Sequence, residues 1–306
     1  MQRKLTDYAF ITLKGMAMGA ADVVPGVSGG TIAFISGIYE ELIETINNVN
    51  FSLVKTLRKD GISAAWKKAN GNFLLALLLG VFISIVSLAK GIKWLLENEP
   101  ILLWSFFFGL VLASVVFVAK EIKQWKLSYV IALVIGAVGA YYITTLPPMS
   151  QSGNLLFLFL AGALAICAMI LPGISGAFIL VLLGAYKTVL TAVDEKNFTI
   201  IGVVGLGAIF GLLSFSRLLK WMFHHYKSIT LAVLTGFILG SLNKIWPWKK
   251  TLSWYTDSHG EAHPLLQESI SPLTFEGESQ LLWAVILMFI GFLTIFFLEK
   301  LATKSE

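Results

Sequence analysis

The chain has 306 residues, 57% of them hydrophobic and 13% charged, with a mean hydropathy of +0.79, which excludes an ordinary soluble domain. Apolar runs of about 17 to 22 residues recur along its length, close to the roughly 20 a helix needs to cross a hydrocarbon core. The net charge of +5 resides in short connectors between these runs, with no basic patch interleaved with aromatics of the kind nucleic-acid binding uses.

Arg3 and Lys4 precede an apolar stretch ending in small residues near Ala20 and Ala21, a pattern that imitates a signal peptide. Lys14 interrupts the stretch and the same pattern recurs later in the chain, so the segment reads as retained. From about 8 to 46 the sequence predicts a helical hairpin broken at Pro25-Gly-Val-Ser-Gly-Gly30, because proline removes a backbone donor and glycine permits non-helical dihedrals. A polar connector, about 47 to 72, follows. Three spans are expected near 73–92, 101–119 and 128–146. A second broken pair covers about 155–193, interrupted at Pro172-Gly-Ile-Ser-Gly-Ala177, followed by spans near 200–219, 229–246 and 281–299. Cys167 lies inside an apolar run and has no second cysteine to pair with.

These elements form a repeat. At an offset of 147, Gly15 falls on Gly162, Pro25 on Pro172, Ser28 on Ser175, Gly37 on Gly184 and Tyr39 on Tyr186. At an offset of 127, Gly80 falls on Gly207, Lys90 on Arg217, Trp94 on Trp221 and Gly109 on Gly236. The expected fold is therefore an all-α integral membrane protein of two repeats, 1–148 and 149–306, within one membrane domain. Each repeat is a broken, re-entrant helical hairpin followed by three transmembrane helices. A hairpin that enters and returns leaves the chain on its original side, and three spans then reverse it, so the repeats are expected to be inverted. With both termini cytoplasmic, the inner connectors carry Lys55, Arg58, Lys59, Lys120, Lys123, Lys220 and Lys227, and the long acidic loop after 246 lies outside.

Two breaks at matching positions within apolar sequence mark a binding site, since non-helical backbone at membrane depth must be buried in protein or line a cavity. Each break ends at a new helix start, with free N–H groups and a partial positive charge suited to an anion. The candidate substrate-binding residues are Pro25, Gly26, Ser28, Gly29, Gly30 and Thr31 in the first loop, and Pro172, Gly173, Ser175 and Gly176 in the second. Arg217 is a candidate counter-charge or a topology signal. Tyr39 and Tyr186 are interfacial anchors or substrate contacts. Asp22, whose repeat counterpart is Met169, either binds a coupling proton or cation or caps the loop's N–H groups. No cofactor, metal or catalytic residue is expected. Asp257, His259, Glu261 and His263 read as a solvated loop, and His224 and His225 as an ordinary basic connector.

The segment GMAMGAADVVPGVSGGTIAFISGIYEEL from Gly15, with its weaker echo LPGISGAFILVLLGAYKTVL from Leu171, resembles the bacterial polyprenyl-phosphate transporter family. The resemblance spans nearly the full chain. It implies a cytoplasmic-membrane flippase that returns undecaprenyl phosphate from the outer to the inner leaflet for cell-envelope synthesis, with no enzymatic activity. On the residues alone, a secondary transporter of a small anion would use the same loops, and a membrane lipid phosphatase would need a convergent acid, base or metal site that the spans lack.

Overall fold

A computed structural model describes residues 3–24, 27–149, 153–256 and 262–303. The first hairpin comprises α1 (Leu5–Val23), the short α2 (Gly29–Ile35) and α3 (Tyr39–Asn48). The polar connector forms a helix, α4 (Phe51–Lys68), interrupted at Gly61, whose φ of 82° only glycine adopts freely. Three long helices follow: α5 (Gly71–Asn98), α6 (Pro100–Lys120) and α7 (Leu127–Thr145). The second hairpin comprises α8 (Leu155–Ile170), α9 (Gly176–Leu182) and α10 (Tyr186–Asp194), with α9 and α10 bent by 109°. Then come α11 (Phe198–Ser241), a 3-10 turn (Leu242–Ile245), and α12 (Leu281–Thr303).

The all-helical expectation needs one correction. Within the acidic loop, β1 (Lys249–Thr256) pairs antiparallel with β2 (Ala262–Ser269), Lys249 opposite Ser269 and Thr256 opposite Ala262. Polar–apolar alternation at Thr251, Leu252, Ser253 and Trp254, with Thr251 and Trp254 good strand formers, favours the pairing. The buried Trp248 at its base donates its indole N–H to the Ser279 carbonyl at 2.9 Å, and Trp246 donates to the Ile270 carbonyl at 2.8 Å. Asp257, His259 and Glu261 lie outside the described residues.

Among the described residues four helices are long and apolar enough to cross a membrane, or five if the bent α9–α10 pair counts as one span. At 44 residues, α11 would be about 66 Å long, twice the hydrocarbon thickness. It contains one non-helical residue, Tyr226 (φ −138°, ψ 45°), between the two spans read from the sequence. Glu99, between α5 and α6, has nearly the same dihedrals (φ −133°, ψ 50°) and sits 127 positions earlier. Large apolar side chains such as Phe82, Ile135 and Phe289, each about two-thirds exposed, face outward from α5, α7 and α12, as lipid contact demands.

Helix packing rests on glycines pressed against neighbouring backbone, and the contacts come in matching pairs. Gly15 of α1 abuts the Leu77 carbonyl of α5, and Gly162 of α8 abuts the Val204 carbonyl of α11. Gly80 meets the Thr12 carbonyl as Gly207 meets that of Phe159. Gly109 of α6 packs on Met288 of α12, whereas Gly236 of α11 packs on Leu133 of α7. Close approach of this kind is how small residues hold membrane helices together without a hydrophobic driving force. The short helices also end alike. Ile38 N–H bonds the Ala33 carbonyl over Gly37 (φ 72°), and Ala185 N–H bonds the Leu180 carbonyl over Gly184 (φ 66°), the left-handed cap that glycine favours.

Candidate functional site

The two breaks meet inside the molecule. Helix α1 ends at Val23, and α2 restarts at Gly29 with Ser28 as its N-cap; Pro25 and Gly26, between them, lie outside the described residues. The Ser28 hydroxyl accepts the Gly30 N–H at 3.1 Å and donates to the Leu171 carbonyl at 3.2 Å. The Thr31 hydroxyl oxygen accepts the Gly173 N–H at 2.9 Å. Gly30 lies so close to the end of α8 that a Cβ there would stand 2.7 Å from the Ile170 carbonyl oxygen. Thus Ser28, Gly30 and Thr31 of the first loop each touch the second, at Leu171, Ile170 and Gly173.

The start of α2 differs from expectation in one respect. Its first N–H groups are not open to an outside anion, because the chain supplies its own acceptors. Asp22 Oδ1 accepts the Gly29 N–H at 2.7 Å, Ser28 Oγ accepts that of Gly30, and the Ser28 carbonyl accepts that of Thr31 at 3.0 Å. A carboxylate near a helix N-terminus is favoured by the helix dipole as well as by the bond itself. Asp22 therefore occupies the position a substrate anion would take, and Ser28 and Thr31 are 2% and 1% exposed.

The second loop is arranged otherwise. Pro172, Gly173 and Gly176 are buried, Ser175 is half-buried, and the Ser175 side chain makes no capping bond to the first turn of α9. With Met169 in the place of Asp22, no carboxylate competes there. Gly173 has φ 92°, and a Cβ on it would stand 2.8 Å from Ser241 Oγ of α11, so both conformation and space require glycine.

Tyr39 is neither an interfacial anchor nor open to substrate. It is 2% exposed, donates its hydroxyl to the Ile170 carbonyl at 3.1 Å, and packs its ring on Phe34 and Phe223 with centroids 5.0 and 5.9 Å apart. Tyr186 is half-buried at the first turn of α10. Arg217 is exposed on α11, and among the described residues no hydrogen bond or ion pair joins it to either loop. On the far side of Phe223 lies a charged cavity of about 100 Å³ lined by Glu40, Ile43, Glu44, Lys220, Phe223 and His224. Lys227 pairs with Glu40 at 2.6 Å beside it. Sequence reasoning missed this cavity, since its residues come from α3 and α11, some 180 positions apart, and share no motif.

Long apolar helices with apolar outer surfaces, around broken hairpins that bond to one another in the interior, mark a multi-pass membrane protein. The sequence matches the family described as undecaprenyl phosphate translocase-like over residues 18–263. A polyprenyl-phosphate transporter of Vibrio cholerae serotype O1 is 50% identical over 308 residues, covering 99% of this chain and 100% of that protein. A polyprenyl-phosphate transporter of Staphylococcus aureus is 33% identical over 264 residues, covering 79% of this chain and 88% of that one. No solved structure matches the chain. The chain belongs to the undecaprenyl phosphate translocase-like family, and is a transporter rather than an enzyme.

Proposed function

We propose that this chain returns polyprenyl phosphate, undecaprenyl phosphate in particular, from the outer to the inner leaflet of the bacterial cytoplasmic membrane, recycling the carrier lipid of envelope synthesis. The observation that carries this reading is the direct joint between the two broken hairpins, Thr31 to Gly173 and Ser28 to Leu171. A phosphate crossing hydrocarbon alone faces an idealised solvation cost on the order of 20 kcal/mol, so it needs a polar route, whereas the prenyl tail needs none. The headgroup passes between the loops while the tail stays in lipid. The names of the two relatives supply the substrate class.

The joint as it stands is closed, and transport requires it to part. Inverted repeats, 1–148 and 149–306, provide the means by rocking against each other so that the loops open to one side and then the other. The paired glycine contacts, the paired caps at Gly37 and Gly184, and the like backbone breaks at Glu99 and Tyr226 support such a repeat. Basic connectors support cytoplasmic termini. Asp22 serves as coupling group in this scheme: it yields the α2 terminus to the arriving phosphate and takes up a proton as it leaves Gly29. Ser28, Gly29, Gly30 and Thr31, with Pro25 and Gly26, then hold the headgroup together with Pro172, Gly173, Ser175 and Gly176.

A liposome assay with a fluorescent polyprenyl phosphate, quenched from outside, tests the reading. Folded protein should accelerate exchange between leaflets. Exchange no faster than in empty liposomes overturns it.

A further inference from the structure

Two lysines near the second break have no carboxylate partner among the described residues. Lys244 sits on the 3-10 turn after α11, and Lys249 opens β1; both are half-buried. Lys244 Nζ stands 4.5 Å from the Phe178 ring centroid, and Lys249 Nζ 4.3 Å from that of Trp104. Lys249 also donates to the Lys244 carbonyl at 2.5 Å. Arg3, Lys93, Lys227 and Lys250 each face a carboxylate, whereas the neighbours of Lys244 and Lys249 are aromatic rings and neutral polar groups. Burial and the nearby Lys244 ammonium push Lys249 well below the usual lysine range.

Both lysines line one small pocket, whose other walls are the neutral polar side chains of Thr144, Asn243, Gln267 and Ser269. Those walls are fixed by their own bonds. Asn243 Nδ2 donates to Thr144 Oγ1 at 2.9 Å, and Ser269 Oγ donates to Asn243 Oδ1 at 3.0 Å. Cation–π contacts leave most of the cost of drawing two like charges together unanswered. An anion answers it. A phosphate monoester, with about −1.5 to −2 charges and three acceptor oxygens, matches two ammonium groups better than a carboxylate does. The pocket also lies close to the second loop. Phe178, under Lys244, lies in the first turn of α9 just past Ser175, and Gly173 rests on Ser241 and Ile238, one turn before Lys244.

We infer that Lys244 and Lys249 form a docking site for a phosphate monoester at the mouth of the second hairpin, collecting the headgroup before it reaches the breaks. Under the proposed topology this mouth faces outward, where a returning carrier must be captured. The pocket encloses about 10 Å³, enough for one water-sized group, so a single phosphate oxygen enters between the ammonium groups and the ester and tail remain outside. The site itself follows from the two lysines; only the assignment of the phosphate to a lipid rests on the proposed function.

The test uses the full chain in nanodiscs, titrated separately with farnesyl phosphate and with inorganic phosphate, with binding read from tryptophan emission. Lys244→Met with Lys249→Met should weaken farnesyl phosphate at least about tenfold, while the paired arginine variant stays within about threefold of wild type. Equal affinity in the methionine pair overturns the site. Binding of inorganic phosphate without farnesyl phosphate keeps the site and sinks the lipid assignment; binding of neither sinks both. Should the methionine pair not fold, acetylation of the wild-type chain by an impermeant amine reagent decides the matter. Farnesyl phosphate should slow modification of Lys244, read by peptide mass spectrometry, and unchanged labelling overturns the proposal.

Discussion

The Thr31 hydroxyl oxygen accepts the N–H of Gly173 at 2.9 Å, although 142 positions separate the two residues. Both are buried, and the bond is a direct link between the two broken hairpins that a headgroup path between them would have to open. Thr31→Val keeps the shape and removes the acceptor. It leaves the Gly173 N–H unpaired, which costs about 1–3 kcal/mol. The expected outcome is a lower Tm in detergent together with impaired lipid exchange in liposomes; an unchanged Tm would show that the link contributes nothing to the closed state.

Gly30 allows the loops to approach. A Cβ there would stand 2.7 Å from the Ile170 carbonyl and 3.0 Å from that of Met169, and backbone cannot yield as a side-chain tip can. Gly30→Ala should therefore cost about 1–3 kcal/mol through overpacking and separate the joint. Gly91→Ala on α5, where a Cβ meets nothing within 4 Å, is the control and should be neutral or slightly stabilising. Thermal melts of both variants check the contrast.

Tyr39 ties α3 to the end of α8 through one hydroxyl. Tyr39→Phe keeps the ring against Phe34 and Phe223 and removes the bond to the Ile170 carbonyl. A loss of about 0.5–1.5 kcal/mol is expected. Phe223→Ala should cost more, about 3–5 kcal/mol, because it leaves a cavity beside the Glu40 and Lys220 pocket. Denaturation by heat or detergent ranks the two.

Asp22→Asn preserves an oxygen to accept the Gly29 N–H but removes the charge and the proton site. The fold should survive. If Asp22 couples transport to protons, lipid exchange should lose its response to an imposed pH gradient while the basal rate persists. A gradient response equal to wild type would reduce Asp22 to a helix cap.

Ser28→Ala and Ser175→Ala separate the roles of the two loops. The Ser28 hydroxyl is committed to Gly30 and Leu171, so its loss should lower stability; Ser175 makes no capping bond, so its loss should spare Tm and weaken headgroup affinity. Equal effects of both on Tm would contradict this division.

The long apolar helices and both breaks were legible because proline, glycine and hydropathy are local signals. The break at Glu99 is announced by Pro100; the like break at Tyr226 has no proline, and only the connector around His224 and His225 marks it. The β-hairpin escaped notice because Glu268, Glu276 and Glu278 dominate a reading by charge, while the alternation from Thr251 to Trp254 is short. The sequence could not choose between coupling and capping for Asp22, since the choice turns on where the chain returns after Pro25. Contacts such as Lys244 on Phe178 depend on tertiary placement alone and leave no trace in spacing.

The glycine seams have a mechanical consequence. Where Gly15 and Gly80 lock α1 to α5, and Gly162 and Gly207 lock α8 to α11, backbone lies directly on backbone with no side chains between to slide or re-rotamer. Each pair is thus a stiff strut. Deformation during a working cycle must concentrate where the struts meet, across a few polar bonds such as that from Gly173 to Thr31, and a cross-link there should arrest the machine while one along either strut should leave it running.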